Sequence, residues 1–228
     1  MRAVVPEWYT GEMRIVFTGG GSGGHFYPII AVAEAVRDIV KEKKLLEPEL
    51  YFFGPNVVDE RALYDNDIRF VRTPAGKMRR YFSIQNFFDS FKTIFGIVTT
   101  FFTLYRLYPD VIFSKGGYGS MPTLIAAKFL RIPVVVHDSD AVPGRATLYA
   151  AHFATKIALS YDDATEHIMQ KDRAKIAVTG NPVRREIVSP ARDGAHEFLD
   201  LERNVPVILV VGGSQGAEAI NNVILEAL

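Results

Sequence analysis

The chain has no cysteine, so neither a disulfide nor a thiolate metal site can be built from it, and this fits a reducing compartment. It has no net charge either: 26 basic side chains balance 26 acidic ones, leaving no global field to draw nucleic acid or another polyanion. A long uncharged apolar run is also missing. The run between Lys92 and Arg106 falls short of the roughly 20 residues that cross a bilayer. Residues 1–12 are polar and lack an apolar h-region, so they read as an extension with no role in the fold rather than as a secretory signal. What remains is a chain of 228 residues, 48% hydrophobic, with room for one large domain and part of another.

What the chain does have is glycine, placed three times between an apolar strand and a helix. The units are Arg14-Ile-Val-Phe-Thr-Gly-Gly-Gly-Ser-Gly-Gly-His25, Val111-Ile-Phe-Ser-Lys-Gly-Gly-Tyr-Gly-Ser120 and Val207-Ile-Leu-Val-Val-Gly-Gly-Ser-Gln-Gly-Ala217. Such turns bring bare N–H groups to the positive end of a helix, where they can grip phosphate. Three of them suggest a protein that holds diphosphates between two lobes. Gly19-x-Gly21-x-x-Gly24 satisfies the dinucleotide fingerprint, but the second strand ends in Phe52-Phe53-Gly54-Pro55-Asn56, with no carboxylate for a ribose diol. His25 follows directly at the helix N-terminus. A helix cap is one role for it; beside a Gly/Ser loop the better role is a neutral imidazole that accepts a proton.

Alternating patterns predict a doubly wound parallel α/β sheet. Strands are expected near 13–18, 49–53, 68–72, 110–113, 133–136, 156–159 and 175–179, with helices near 26–41, 58–65, 84–107, 121–130, 143–151 and 161–170. A further strand–glycine–helix unit starts at Val205. The expected organisation is an extension over 1–12, a Rossmann-like lobe over 13–185, and the truncated opening of a second lobe over 186–228.

Three other segments carry chemical potential. Lys77, Met78, Arg79, Arg80, Tyr81 and Phe82, leading to Phe87 and Phe88, set aromatic and aliphatic groups beside three cations, as in an interfacial patch for anionic lipid. The C-terminal half of the 84–107 helix is expected simply to pack on the sheet. His137-Asp-Ser-Asp-Ala-Val-Pro-Gly-Arg145 follows a buried strand and emerges at the ligand-binding edge. Asp138 and Asp140 could orient hydroxyls or a base there, or cap the helix near Pro143. Gly180-Asn-Pro-Val-Arg-Arg185 places two guanidiniums at a hinge, where one could clamp a phosphate.

Four motifs, in order, resemble those of the MurG family. They are Thr18-Gly-Gly-Gly-Ser-Gly-Gly-His25 with Pro28, Lys115-Gly-Gly-Tyr-Gly-Ser-Met-Pro122, Gly180-Asn-Pro-Val-Arg184 and Gly212-Gly-Ser-Gln-Gly-Ala217. That family comprises the N-acetylglucosaminyltransferases that convert lipid I to lipid II in peptidoglycan synthesis. The resemblance covers residues 13–228. It implies a two-lobed GT-B fold and inverting transfer of GlcNAc from UDP-GlcNAc, with no cofactor beyond that co-substrate and no metal. It also implies peripheral attachment to the cytoplasmic face of the bacterial membrane.

By the same resemblance, His25 is the catalytic base, alone or with Asp138. Ser22, Gly23, Gly24, Asp140, Arg184 and Ser214 fall on donor-binding positions. Gly20, Gly21, Gly116, Gly117 and Tyr118 fall on positions that hold the acceptor and its diphosphate. The chain departs from the family where His-Glu-Gln-Asn is usual and His137-Asp-Ser-Asp140 stands instead. An anionic Asp140 cannot donate a hydrogen bond as an Asn would. Most of the family's donor pocket lies beyond the third glycine loop, so the chain by itself is expected to be inactive. A diacylglycerol-type lipid glycosyltransferase and a non-catalytic lipid- or nucleotide-binding lobe are the alternatives.

Overall fold

The computed structural model describes residues 13–20, 22–76, 84–189, 194–202, 205–212 and 216–227. The chain divides into two compact units, Met1–Arg184 and Arg185–Leu228.

The first unit is built on seven strands: β1 (Arg14–Thr18), β2 (Glu49–Gly54), β3 (Ile68–Arg72), β4 (Val111–Ser114), β5 (Val134–Asp138), β6 (Lys156–Leu159) and β7 (Ile176–Val178). They form one sheet of order β3-β2-β1-β4-β5-β6-β7, and every pairing is parallel. The order reverses between β1 and β4, so the first two glycine loops leave adjacent strands at the topological switch point, where open α/β sheets bind ligands.

The central strands β1, β4 and β5 are mostly apolar because helices cover both faces, whereas the edge strand β3 carries Arg69 and Arg72. Alternation along β1 sends Ile15 and Phe17 to one face, where they meet Phe26, Ile29, Ile30 and Ala33 of α1 (Gly23–Glu42) and Leu63 of α2 (Glu60–Asp65). Val16 turns to the other face, among Leu104 of α3 (Ile84–Leu107), Leu124, Ala126 and Ala127 of α4 (Met121–Leu130), and Ala146, Ala150 and Ala151 of α5 (Arg145–Ala151).

Three expectations need correction. Residues 161–170 are not an α-helix: two short 3-10 turns stand there, Asp162–His167 and Gln170–Lys175, with Met169 extended at φ −56°, ψ 137° between them. The Asp162-Asp163 pair favours a helix start, but the backbone leaves helical geometry at Ile168 (φ −87°, ψ 136°) and Met169, so the segment cannot continue as one helix. Secondly, the strand expected from Val205 does not form. Val207, Ile208, Leu209, Val210 and Val211 are exposed and carry no ladder among the described residues, because a strand needs a neighbour to pair with. The second unit shows instead, among the described residues, the helices α6 (Arg185–Val188), α7 (Ala195–Phe198) and α8 (Glu218–Ala227).

The third correction concerns α3. Thr100 and Leu104 are buried, but the opposite side exposes Phe87, Phe91, Ile94, Phe95, Val98, Phe102 and Tyr105. At about 100° per residue these positions form one stripe along the helix, with the exposed Lys92 and Arg106 along one flank. The C-terminal half of α3 therefore packs with one face only.

Candidate functional site at the switch point

The two glycine loops touch. A Cβ added to Gly119 would come within 3.1 Å of the Gly20 Cα, and one added to Gly117 would lie 2.4 Å from the Gly20 carbonyl oxygen. Gly117 also needs its freedom: φ is +81°, a conformation L side chains rarely adopt. Gly116 precedes it at φ +78°, its N–H donating to the Ser114 hydroxyl at 3.2 Å. Tyr118 begins the short 3-10 turn that leads into α4.

His25 stands in the first turn of α1, partly exposed, between these loops. Its Nδ1 lies 3.1 Å from the Lys115 carbonyl. A carbonyl oxygen only accepts, so Nδ1 carries the proton and Nε2 presents a lone pair. That Nε2 is 3.2 Å from where a Gly117 Cβ would stand, so this edge of the ring lies against the second loop. Ser22 is the N-cap of α1, with extended backbone and no side-chain cap bond, and Gly23 and Gly24 open the helix. Among the described residues no side chain accepts from the first-turn N–H groups at the positive end of this 20-residue helix, although the His25 N–H donates to the Ser22 carbonyl at 3.1 Å.

β5 delivers the next groups. Asp138 is buried, and both its oxygens are engaged, one by the Asp140 N–H at 3.1 Å and the other by the Gly144 N–H at 3.0 Å. It is thereby the anchor of the 139–144 loop, and α5 starts at Arg145 rather than at Pro143. Asp140 is exposed. His137 is 2% exposed; its Nε2 donates to the Gly180 carbonyl at 3.0 Å, and its Nδ1 has no partner. Burial pushes its pKa down, with the Gly180 bond pulling weakly the other way, so the ring is held neutral.

The hinge segment is tied to the same edge. Beyond the His137 bond, the Ser160 hydroxyl donates to the Asn181 side-chain oxygen at 2.7 Å. The chain then returns to α1, where the Arg184 guanidinium lies over the Tyr27 ring, 4.2 Å from its centroid. Tyr27 also abuts Gly23, so Arg184, stacked on that ring, stands beside the first glycine loop.

The switch point thus brings together Gly20, Ser22, Gly23, Gly24, His25, Gly116, Gly117 and Tyr118, with Asp138, Asp140 and Arg184 on neighbouring segments. Gly21, Ser214, Lys77, Met78, Arg79, Arg80, Tyr81 and Phe82 lie outside the described residues. Sequence reasoning missed Lys115, which is 3% exposed. The signal was available: continuing the alternation of β4 puts residue 115 on the same face as Phe113.

Residues 15–159 match the glycosyltransferase family 28 N-terminal domain. Curated relatives include the UDP-N-acetylglucosamine–N-acetylmuramyl-(pentapeptide) pyrophosphoryl-undecaprenol N-acetylglucosamine transferases of Treponema denticola, 41% identical over 94% of this chain and 56% of that protein, and of Borreliella afzelii, 38% identical over 92% and 56%. The chain therefore spans just over half the length of these relatives. Among solved structures, Acinetobacter baumannii MurG superposes with a TM-score of 0.64 at 22% identity, covering 95% of this chain and 58% of that one. A glycosyltransferase from Rickettsia africae gives 0.58 at 12% identity over 86% and 51%. The architecture is that of the first lobe of a GT-B glycosyltransferase, and the chain belongs to glycosyltransferase family 28.

Proposed function

We propose that the chain acts in transferring N-acetylglucosamine from UDP-N-acetylglucosamine to the C4 hydroxyl of the muramyl sugar of lipid I, giving lipid II. The names of its relatives supply the substrates. The observation that carries the chemistry is the Lys115 carbonyl's hold on His25 Nδ1, which leaves Nε2 as an acceptor at the junction of the two loops. An acceptor sugar seated at the second loop gives its C4 hydroxyl proton to Nε2. The oxygen bonds to the anomeric carbon from the face opposite UDP, the bond between that carbon and the β-phosphate oxygen breaks, and UDP leaves with the electron pair, so the configuration inverts. The charge that develops on UDP is met by the uncapped first turn of α1 and by Arg184. Asp138 supports the site by fixing the loop that carries Asp140. The diacylglycerol and non-catalytic readings gain no support from the relatives' names.

The exposed stripe of α3 fits peripheral attachment to the cytoplasmic face of the cell membrane. No helix among the described residues is long and apolar enough to cross a bilayer. Phe91, Ile94, Phe95, Val98 and Phe102 would enter the acyl boundary while Lys92 and Arg106 meet anionic headgroups. This orientation sets the lobe against the surface that carries an undecaprenyl-linked acceptor.

The activity is tested by incubating the whole protein from its own reading frame with UDP-N-acetylglucosamine and lipid I. Mass spectrometry should show the product heavier by one N-acetylhexosamine and linked with inverted anomeric configuration. A retained configuration, or transfer to diacylglycerol in place of lipid I, would remove the proposal.

A further inference from the structure

The Tyr27 ring is held at three points. It meets the buried Phe26 ring edge-on, with centroids 5.4 Å apart, and Phe26 in turn packs edge-on against Phe52 at 5.3 Å. Two of its ring carbons stand 3.3 Å from the point where Gly23 would carry a Cβ. Its hydroxyl donates to Asp59 Oδ2 at 3.4 Å, while Asp59 Oδ1 accepts the Ala62 N–H at 2.9 Å and is fixed as the N-cap of α2. His25 and Tyr27 are two residues apart, about 200° around the helix. One turn of α1 therefore presents the imidazole to the second glycine loop and the phenol ring to the hinge. Arg184, at the end of the first unit, lies in neither helix nor strand, so no regular backbone directs its side chain. A long arginine side chain loses much rotamer freedom when a ligand fixes it. One already stacked on a ring has lost part of that freedom beforehand. Stacking engages the face of a guanidinium and not the in-plane N–H groups that grip phosphate.

We infer that Tyr27 is a positioning residue: its ring, fixed by Phe26, Gly23 and Asp59, holds the Arg184 guanidinium beside the first glycine loop, where it meets the charge on UDP. The part played by Arg184 rests on the transferase reading above; the platform beneath it rests on the contacts of the ring. Tyr27 acts through Arg184 and not on the reacting atoms. The ring face carries the role, since the hydroxyl bond to Asp59 is long and serves only to steady the ring.

The test is a calorimetric titration of the whole protein with UDP, in the absence of acceptor so that no sugar moves. Tyr27→Leu, which removes the ring but keeps an apolar helix-forming residue, should bind UDP roughly three- to ten-fold more weakly, the share of one half-buried cation–π contact. Tyr27→Phe keeps the ring face and should bind within about two-fold of the parent. In an Arg184→Ala background, Tyr27→Leu should cost nothing further, because the two residues act as a unit. Undiminished binding in Tyr27→Leu would overturn the inference, and so would an equal loss in Tyr27→Phe. The same loss with and without Arg184 would also overturn it, making Tyr27 a prop for the glycine loop alone. Should Tyr27→Leu fail to fold, the Arg184 Nε–H resonance of the 15N-arginine-labelled parent, assigned by its absence in Arg184→Ala, must lie upfield from the ring current and move on adding UDP. A resonance at the solvated-arginine position, or one that UDP leaves unmoved, overturns the inference equally. A parent that shows the expected pattern yet transfers no sugar to lipid I removes the proposed reaction and leaves Tyr27 in its role. A parent that transfers sugar without the pattern removes the role alone, and one that binds no UDP removes both.

Discussion

Gly117→Ala isolates the contact on which the site depends. Two penalties add at this position. The backbone is at φ +81°, ψ 166°, a region essentially reserved for glycine, which costs an L side chain about 1–3 kcal/mol. The new Cβ would also stand 2.4 Å from the Gly20 carbonyl oxygen, and such overpacking costs about 1–3 kcal/mol because backbone must shift. The sum is about 2–6 kcal/mol, a large share of the roughly 5–15 kcal/mol that holds a domain together. A unit of this size should melt roughly 5–20 °C lower. Gly180→Ala is the control, since φ there is +74° but nothing lies within 4 Å. It should lose only the conformational part, about 1–2 kcal/mol. Urea unfolding of parent and both variants gives the difference. If Gly117→Ala costs no more than Gly180→Ala, the two glycine loops are not in contact and the shared site falls.

Three further outcomes are expected. Arg184→Ala in the whole protein should raise the KM for UDP-N-acetylglucosamine before it lowers kcat, as steady-state kinetics would show; an unchanged KM would confine Arg184 to its stacking on Tyr27. Sedimentation with anionic vesicles should retain the parent at low salt and release a Phe95→Glu, Phe102→Glu variant, and equal retention of both would leave the α3 stripe without a membrane role. Because burial holds the folded-state pKa of His137 below the ordinary imidazole value of 6.5, the unfolded chain takes up a proton first as pH falls. The stability that the neutral ring contributes is present above that value and lost below it. The urea midpoint should therefore drop between pH 7 and 5, and less so in His137→Asn; parallel pH profiles would contradict this.

The sheet was legible because its central strands are mostly apolar on both faces and separated by helical patterns. Pro133-Val-Val-Val136 marks β5, and the glycine clusters mark where β1 and β4 end. Other features turn on tertiary context. α3 carries apolar side chains around most of its circumference, so periodicity identifies the helix but not that Phe95 and Phe102 are exposed while Leu104 is buried. Val207-Ile-Leu-Val-Val211 has strand propensity but no ladder among the described residues, and propensity without a partner strand does not make a sheet. Within the site, His25 was legible from its place after a Gly/Ser loop. Its partner was not, because the Lys115 carbonyl lies 90 residues away along the chain and only the β1–β4 pairing brings it near. Asp138 was legible as polar at a strand end, but its engagement with two backbone N–H groups depends on how the 139–144 loop closes.

The account's central claim is that His25 Nε2 takes the acceptor's proton at the junction of the two loops. Its most direct measurement is the steady-state rate of the whole protein with saturating UDP-N-acetylglucosamine and a soluble lipid I analogue, for parent and His25→Ala. The account predicts a kcat lower by roughly 10²–10⁴-fold and a donor KM little changed, since the imidazole acts mainly in the transition state. Near-normal turnover in His25→Ala would contradict it, leaving His25 a helix-end residue.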